Sequence, residues 1–289
     1  YKYSGNGGLN KAFLGFGYQL NDNLSFGFDS KYNFGNIQNT ALEFLYDDES
    51  EPLDYQAREV NRSDLSGLNF NFGLIYKAKI SSSLDLHSSF SYSPEYNLSS
   101  RNSRVFASVV INPNSGLEFP VNEIDVDLES AGLSKTDLTM PSKTNIGVGV
   151  GKDKKWFLGA EYTFLSSSVF SNDLINIDNS RFEDSSIISV GGFYIPDYST
   201  FSGVFKRLVY RAGLYSEKTG LNINGESISE FGISFGLGIP SGGLFSNINT
   251  TVEFGKRGTT DANLVEENFV NFQLSLSLND RWFIKRKYN

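Results

Sequence analysis

The sequence has 289 residues, 25 of them Phe, 15 Tyr and 28 Gly, with no Cys and a formal net charge of −8. The lack of cysteine excludes disulfides, thiolate metal sites and Cys nucleophiles, and the acidic balance argues against nucleic acid, whose binding needs a cationic face. No run of 18 or more apolar residues exists, so a transmembrane helix is excluded, while a hydrophobic share of only 39% conceals strands that are apolar on one side alone.

Taken in order, the chain opens on Tyr1, with no initiating Met or signal peptide, which reads as a processed product or part of a longer chain. Gly5-Asn6-Gly7-Gly8 reads as a turn, and the first strand as Lys11 to Leu20, with Leu14, Phe16, Tyr18 and Leu20 on one face. After the Asn21-Asp22-Asn23 turn, Leu24, Phe26, Phe28, Tyr32 and Phe34 alternate with Ser25, Gly27, Asp29, Lys31 and Asn33. Residues 43–62 are acidic and read as a long loop. Leu68, Phe70, Phe72, Leu74 and Tyr76 then alternate with Asn69, Asn71, Gly73 and Lys77. A serine turn leads to a strand in which Leu84, Leu86, Phe90 and Tyr92 oppose Asp85, His87, Ser89 and Ser91.

Residues 93–142 form the longest excursion, rich in Pro and carrying the acidic tract Glu123, Asp125, Asp127 and Glu129, with room for a protruding hairpin. Ile146, Val148 and Val150 interleave with Gly147, Gly149 and Gly151, and the next strand points Trp156, Leu158, Tyr162 and Phe164 outward. Residues 166–184 read as loop. Strands follow near 185–195 and 207–215, then a loop over 216–227. Phe231, Ile233, Phe235, Leu237 and Ile239 oppose Gly232, Ser234, Gly236 and Gly238, and the pattern restarts with Ile248, Val252 and Phe254. The last clear strand carries Phe272, Leu274, Leu276 and Leu278.

Period-two alternation means strands whose two faces meet different surroundings. A polar face of Gly, Ser, Asn and Thr suits an enclosed interior better than open solvent, and the greasy face suits lipid. The reading is all-β: a transmembrane antiparallel up-and-down β-barrel of about eleven strands, each near the roughly 9–11 residues that cross an outer membrane. Short turns alternate with longer loops, as in outer-membrane barrels. An odd strand count cannot close such a barrel, so strands are expected before Tyr1; three would make about fourteen. Residues 1–278 are taken as barrel and 279–289 as a basic aromatic tail, placing the protein in the bacterial outer membrane.

Gly5 to Asn10, Gly255-Lys256-Arg257-Gly258 with Glu266-Glu267-Asn268-Phe269, and the closing run from Asn279 through Arg281, Trp282 and Phe283 to Tyr288 resemble the Bacteroidota branch of the FadL-like (OMPP1/TodX-type) outer-membrane proteins. That resemblance implies a fourteen-stranded barrel closed by an N-terminal hatch, and passive uptake of small hydrophobic compounds. Some relatives instead serve as barrel partners in outer-membrane assembly or secretion machines, type IX secretion included, and both functions stay open here.

No enzymatic site is expected. Asp85, His87 and Ser89 share one strand face, where side chains two apart stand roughly 7 Å apart and in parallel, not converging as a triad must. Gly147 to Lys152 mimics a phosphate loop but has strand on both sides. The acidic tracts lack EF-hand spacing, so neither metal nor cofactor is expected. Asp29, Lys31, Lys77, Asp85, His87, Glu161, Arg211, Glu253 and Arg257 are the lumen-lining candidates; their mixed signs point to a cross-lumen network more than a filter. Among inward apolar residues, Phe13, Ile75, Val209 and Tyr215 are a thin supply for hydrophobic cargo. Arg281, Trp282, Phe283, Lys285, Arg286, Lys287 and Tyr288 form an interfacial anchor or a partner-docking tail. The expected partners are outer-membrane lipid and lipopolysaccharide, a hydrophobic ligand, and outer-membrane machinery subunits.

Overall fold

The computed structural model describes residues 1–170, 179–200, 203–240 and 245–278. Eleven strands follow one another in an antiparallel meander: β1 (Lys2–Gln19), β2 (Leu24–Glu43), β3 (Gln56–Ser81), β4 (Leu84–Ser93), β8 (Lys143–Lys152), β9 (Trp156–Leu165), β11 (Ser185–Tyr194), β12 (Val209–Ile223), β13 (Glu226–Pro240), β14 (Phe245–Gly258) and β15 (Glu266–Leu278). Off this path lie β5 (Tyr96–Ile111), β6 (Glu118–Asp125), β7 (Lys135–Met140) and β10 (Ser180–Phe182). Among the described residues β1 and β15 do not pair, so the sheet remains open along that seam.

Register carries the alternation across the whole sheet. Val190, Leu214, Ile233, Phe254 and Val270 are successive partners on one face, and Gly191, Gly213, Ser234, Glu253 and Asn271 stand directly opposite one another on the other. The apolar row is exposed throughout: Ile233 keeps 36% of its surface and Val270 67%. Exposure of that extent along a continuous band is what water would penalise and acyl chains reward. The described chain is the wall of an outer-membrane β-barrel, built from ten-residue strands such as β4, β8, β9 and β11 that match the bilayer.

Several boundaries differ from the sequence reading. Gly5 to Gly8 lie inside β1 and make no turn. Gly7 adopts φ 107° and sits so close to β2 that a Cβ would lie 2.1 Å from the Asn36 carbonyl oxygen; glycine here admits a bend within a strand. The loop after β2 is shorter than residues 43–62, since β3 begins at Gln56. Residues 216–227 are mostly strand: β12 and β13 continue to the two-residue turn Asn224-Gly225, with φ 54° and 90°. Asn-Gly with both φ positive is the favoured hairpin turn. The expected turn at 240–246, the tail 279–289 and the centre of loop 166–184 fall wholly or partly outside the described residues.

The 93–142 excursion is a folded lobe. β5 pairs with the upper half of β3, Gln56 to Ser66, and β6 and β7 pair with the two halves of β5. With the upper parts of β1 and β2 these strands extend the same sheet above the apolar band. It curls strongly. Lys2 on β1 lies across three neighbouring strands from β6, yet its Nζ is 3.3 Å from Glu118 Oε1. A flat sheet at about 4.8 Å per strand would keep those side chains apart. Leu42, Ala107 and Val109 fill the concave side, 2%, 7% and 0% exposed, with Ile111 against them. Arg58 joins the closure, 3.7 Å from Glu118 and 3.2 Å from Glu123.

Candidate functional site

The polar face of the wall is ordered in rows by strand register. One row runs Lys77, His87, Gly149, Gly159, Gly191, Gly213, and the next runs Ile75, Ser89, Gly147, Glu161, Ser189, Tyr215, Gly232, Gly255, Phe269. The glycines leave space that aromatic rings from neighbouring positions occupy. Phe157 lies over Gly149 and Gly159, so a Cβ on Gly149 would be 2.2 Å from its ring. Tyr215 covers Gly232 and Phe269 covers Gly255 in the same way. Ring faces thus shield backbone that glycine leaves bare. Phe157 also meets His87 edge-on at 5.8 Å and stacks with Phe193 at 6.1 Å, within the range of favourable ring pairs.

These residues border a groove of about 510 Å³ on the polar face, with Lys77, His87 and Glu161 at its margin and Phe157 within it. Of the lumen candidates, register places Asp29, Lys31, Lys77, Asp85, His87, Glu161, Arg211, Glu253 and Arg257 on this one face. It brings three of them, Lys77, His87 and Glu161, to one groove. Most of the polar-face candidates also form local pairs. Lys31 lies 2.9 Å from Asp29, Asn145 donates to Glu161 at 2.9 Å, and Arg211 donates to Asn249 at 2.9 Å. Arg257 Nε donates to Glu230, and the Tyr215 hydroxyl is 2.6 Å from Glu230 and 2.9 Å from Glu253. A phenol has one proton, so it serves one of those carboxylates at a time.

Reading the sequence undercounted inward aromatics. Phe157, Phe193 and Phe269 share the parity of the polar positions; Phe157 and Phe269 each stand opposite a glycine of the adjoining strand, while Phe193 stands between Phe157 and Arg211. That parity was available; the ring's lean over a neighbouring strand was not. Asp85, His87 and Ser89 lie on β4 facing separate partners, Gly151, Gly149 and Gly147, with no convergence on one point. Gly147 to Lys152 lies in β8 with β9 following, so no helix receives a phosphate there. Asp47 and Asp127 turn their carboxylates back on their own loops, accepting from Glu49 and Glu51, and from Glu129 and Ser130. The Ser130 backbone N–H foremost holds Asp127 below the usual carboxylate range. Among the described residues no cluster of three or more His, Asp or Glu could hold a metal.

Above the membrane the lobe presents the opposite arrangement. Its convex face carries Tyr3, Ala41, Glu59, Phe106 and Ile124 as successive cross-strand partners, with Phe119 opposite Val110 nearby. Phe106, Phe119 and Ile124 keep 46%, 52% and 60% of their surface exposed. The outer edge of β6 is unpaired among the described residues.

The family model for BamG matches residues 1–289. The chain belongs to the BamG family. Among solved structures, this BamG-family chain is similar to a Pseudomonas aeruginosa FadL homologue, with TM-score 0.54, 14% identity and 88% of the chain covered. It is also similar to the Ralstonia pickettii toluene transporter TbuX, at TM-score 0.53, 12% identity and 93% coverage, and to the CymD monoaromatic hydrocarbon channel, at 0.51, 12% and 86%. The chain spans 60%, 67% and 68% of those three chains respectively. At such identities the likeness is one of fold: a FadL-like outer-membrane barrel. No curated protein matches the sequence.

Proposed function

We propose that this BamG-family barrel is a non-transporting subunit of an outer-membrane protein assembly or secretion complex, held to its partner through the extramembrane lobe. The observation that carries this reading is the convex face of the lobe, where Phe106, Phe119 and Ile124 are exposed in the long connection between β4 and β8, the kind that outer-membrane barrels turn to water. Contiguous apolar surface in water marks protein contact sites. The wall beneath supports the same reading, because its polar face is held by amide and ion-pair contacts, Lys31 with Asp29 and Arg257 with Glu230 among them, which suit a braced interior better than an apolar route.

Affinity purification of the full protein in mild detergent tests this. A stoichiometric co-purifying partner, lost in the double variant F119R/I124R while the barrel stays folded, is the expected result. Recovery of the protein alone would overturn it.

The groove around Phe157 favours a second reading, passive uptake of small hydrophobic compounds along the lumen, in line with CymD, a monoaromatic hydrocarbon channel, and TbuX, a toluene transporter. Liposome uptake of an apolar probe by the purified barrel would establish that reading, and no uptake over empty vesicles would remove it.

A further inference from the structure

At the end of the wall where the connections are short, which in outer-membrane barrels is the periplasmic end, two connections lie together. These are the β8–β9 turn, residues 152–155, and the described residues 195–200 and 203–208 of the connection between β11 and β12. The segment is tied down at both ends. Ile195 and Leu208 are each 7% exposed, the Ile195 N–H donates to the Lys155 carbonyl at 2.7 Å, and the Asp197 N–H donates to Lys206 at 2.8 Å. Held this way, it presents Tyr198, Val204 and Phe205 outward, Phe205 at 76% exposure. The Tyr210 hydroxyl donates to the Phe205 carbonyl at 3.0 Å, fixing that turn below the apolar face.

The charge of this rim is opposite to that of the chain as a whole. Lys152, Lys154, Lys155, Lys206 and Arg207 stand against Asp153 and Asp197, in a chain of net charge −8. No ion pair among the described residues involves those five cations. Lys154 lies over the Tyr198 ring, 5.4 Å from its centre. Arg207 Nε is buried and donates to no described group. A buried guanidinium N–H without an acceptor is costly, and an anion is the partner that removes the cost.

Immediately above, the apolar face is recessed. Leu158, Gly192, Ala212 and Phe235 are successive partners in one row, so two small residues lie between two large ones. With Tyr194 and Tyr210 they border a groove of about 860 Å³ that is almost wholly apolar. A long apolar groove ending at aromatic residues and unpaired cations matches one class of molecule at this height in a membrane. Tyrosines prefer the headgroup level, and basic clusters beside it attract anionic lipid.

We propose that this rim and groove form a binding site for an anionic phospholipid of the periplasmic leaflet, its phosphate on Arg207 and the neighbouring lysines and one acyl chain over Gly192 and Ala212. The charge complementarity and the unfilled Arg207 donor favour a lipid over a protein partner.

The test uses the purified full protein in detergent, loaded with phosphatidylglycerol or phosphatidylcholine, with retained lipid counted by native mass spectrometry. Phosphatidylglycerol is expected to be retained preferentially. K206Q and R207Q should each reduce that retention by about fivefold, the effect of one basic residue at a charged lipid surface. A212L should lower retention of both lipids by filling the groove. Lys206 is exposed, so K206Q reads out even if R207Q misfolds. Equal retention of the two lipids, or retention unchanged in K206Q, would overturn the proposal. So would a protein partner that shields Lys206 from amine labelling while lipid does not.

Discussion

Phe235 in the wall and Ile124 in the lobe expose nearly equal shares of surface, 52% and 60%, and the same number means opposite things. Phe235 lies mid-strand in β13, within a row whose neighbours are all small or apolar, where the solvent is lipid. Ile124 lies on β6, in the long connection between β4 and β8 that outer-membrane barrels carry outside the bilayer, beside Asn122 and Asp125. Exposure has a meaning only once the solvent is known. The wall uses its greasy side chains to dissolve in a membrane; the lobe buries Leu42 and Val109 on one side and leaves Phe106, Phe119 and Ile124 for something else to cover.

The contrast breaks first at the bilayer. Replacing Phe235 with Arg puts a charge on the lipid face near mid-strand and should cost about 3 kcal/mol of folding free energy in lipid vesicles, measured by denaturant titration. The same change at Ile124 should alter stability by less than about 0.5 kcal/mol; equal penalties at both sites would mean that β6 also meets lipid. Next in size, Leu42→Ala empties part of the lobe core and should destabilise the lobe by roughly 2–3 kcal/mol. Hydrogen exchange should then rise in β5 and β6 while β13 and β14 stay protected, which would show that the two regions fold as separate units. Smaller again, Lys2→Ala removes one exposed closure of the curled sheet, the Glu118 pair, and should cost less than about 1 kcal/mol.

The smallest effect concerns pH. The Ser227 hydroxyl, then Arg181, hold the Glu183 carboxyl below the usual range, at the upper end of β10 and β12. A lowered carboxylate favours the folded contact above the unfolded value of about 4.3, and that support fades as pH falls through the folded value. Exchange protection at residues 180–183 and 221–227 should therefore weaken on acidification below about pH 4, and Glu183→Gln should make it insensitive to pH over that interval.

The wall was far more legible than the lobe. Alternation in Phe26 to Phe34, Leu68 to Tyr76 and Phe231 to Ile239 is local, and it assigned faces that the register then carried across eleven strands, with shifts confined to strand ends near Ser81, Asn222 and Phe245. The candidates on the polar face followed from the same parity. The groove they border did not, because it depends on Phe157 leaning across two glycines of its neighbours. In the excursion the local signal was weaker still: β6 contains Pro120 and a register shift near it, and its acidic residues read as solvated loop. Glu118 and Glu123 are instead drawn to Arg58, a residue some sixty positions earlier in sequence.

By itself, then, the order of residues determined that these strands have one face for lipid and one for an enclosed space, since a period of two needs no knowledge of distant partners. Tertiary structure alone decided which strands stop at the membrane and which run on, how β5 returns to lie against β3, and that Lys2 meets Glu118. Those outcomes rest on pairings between segments far apart in the chain, and no local pattern of side chains encodes which distant backbone will supply the hydrogen bonds.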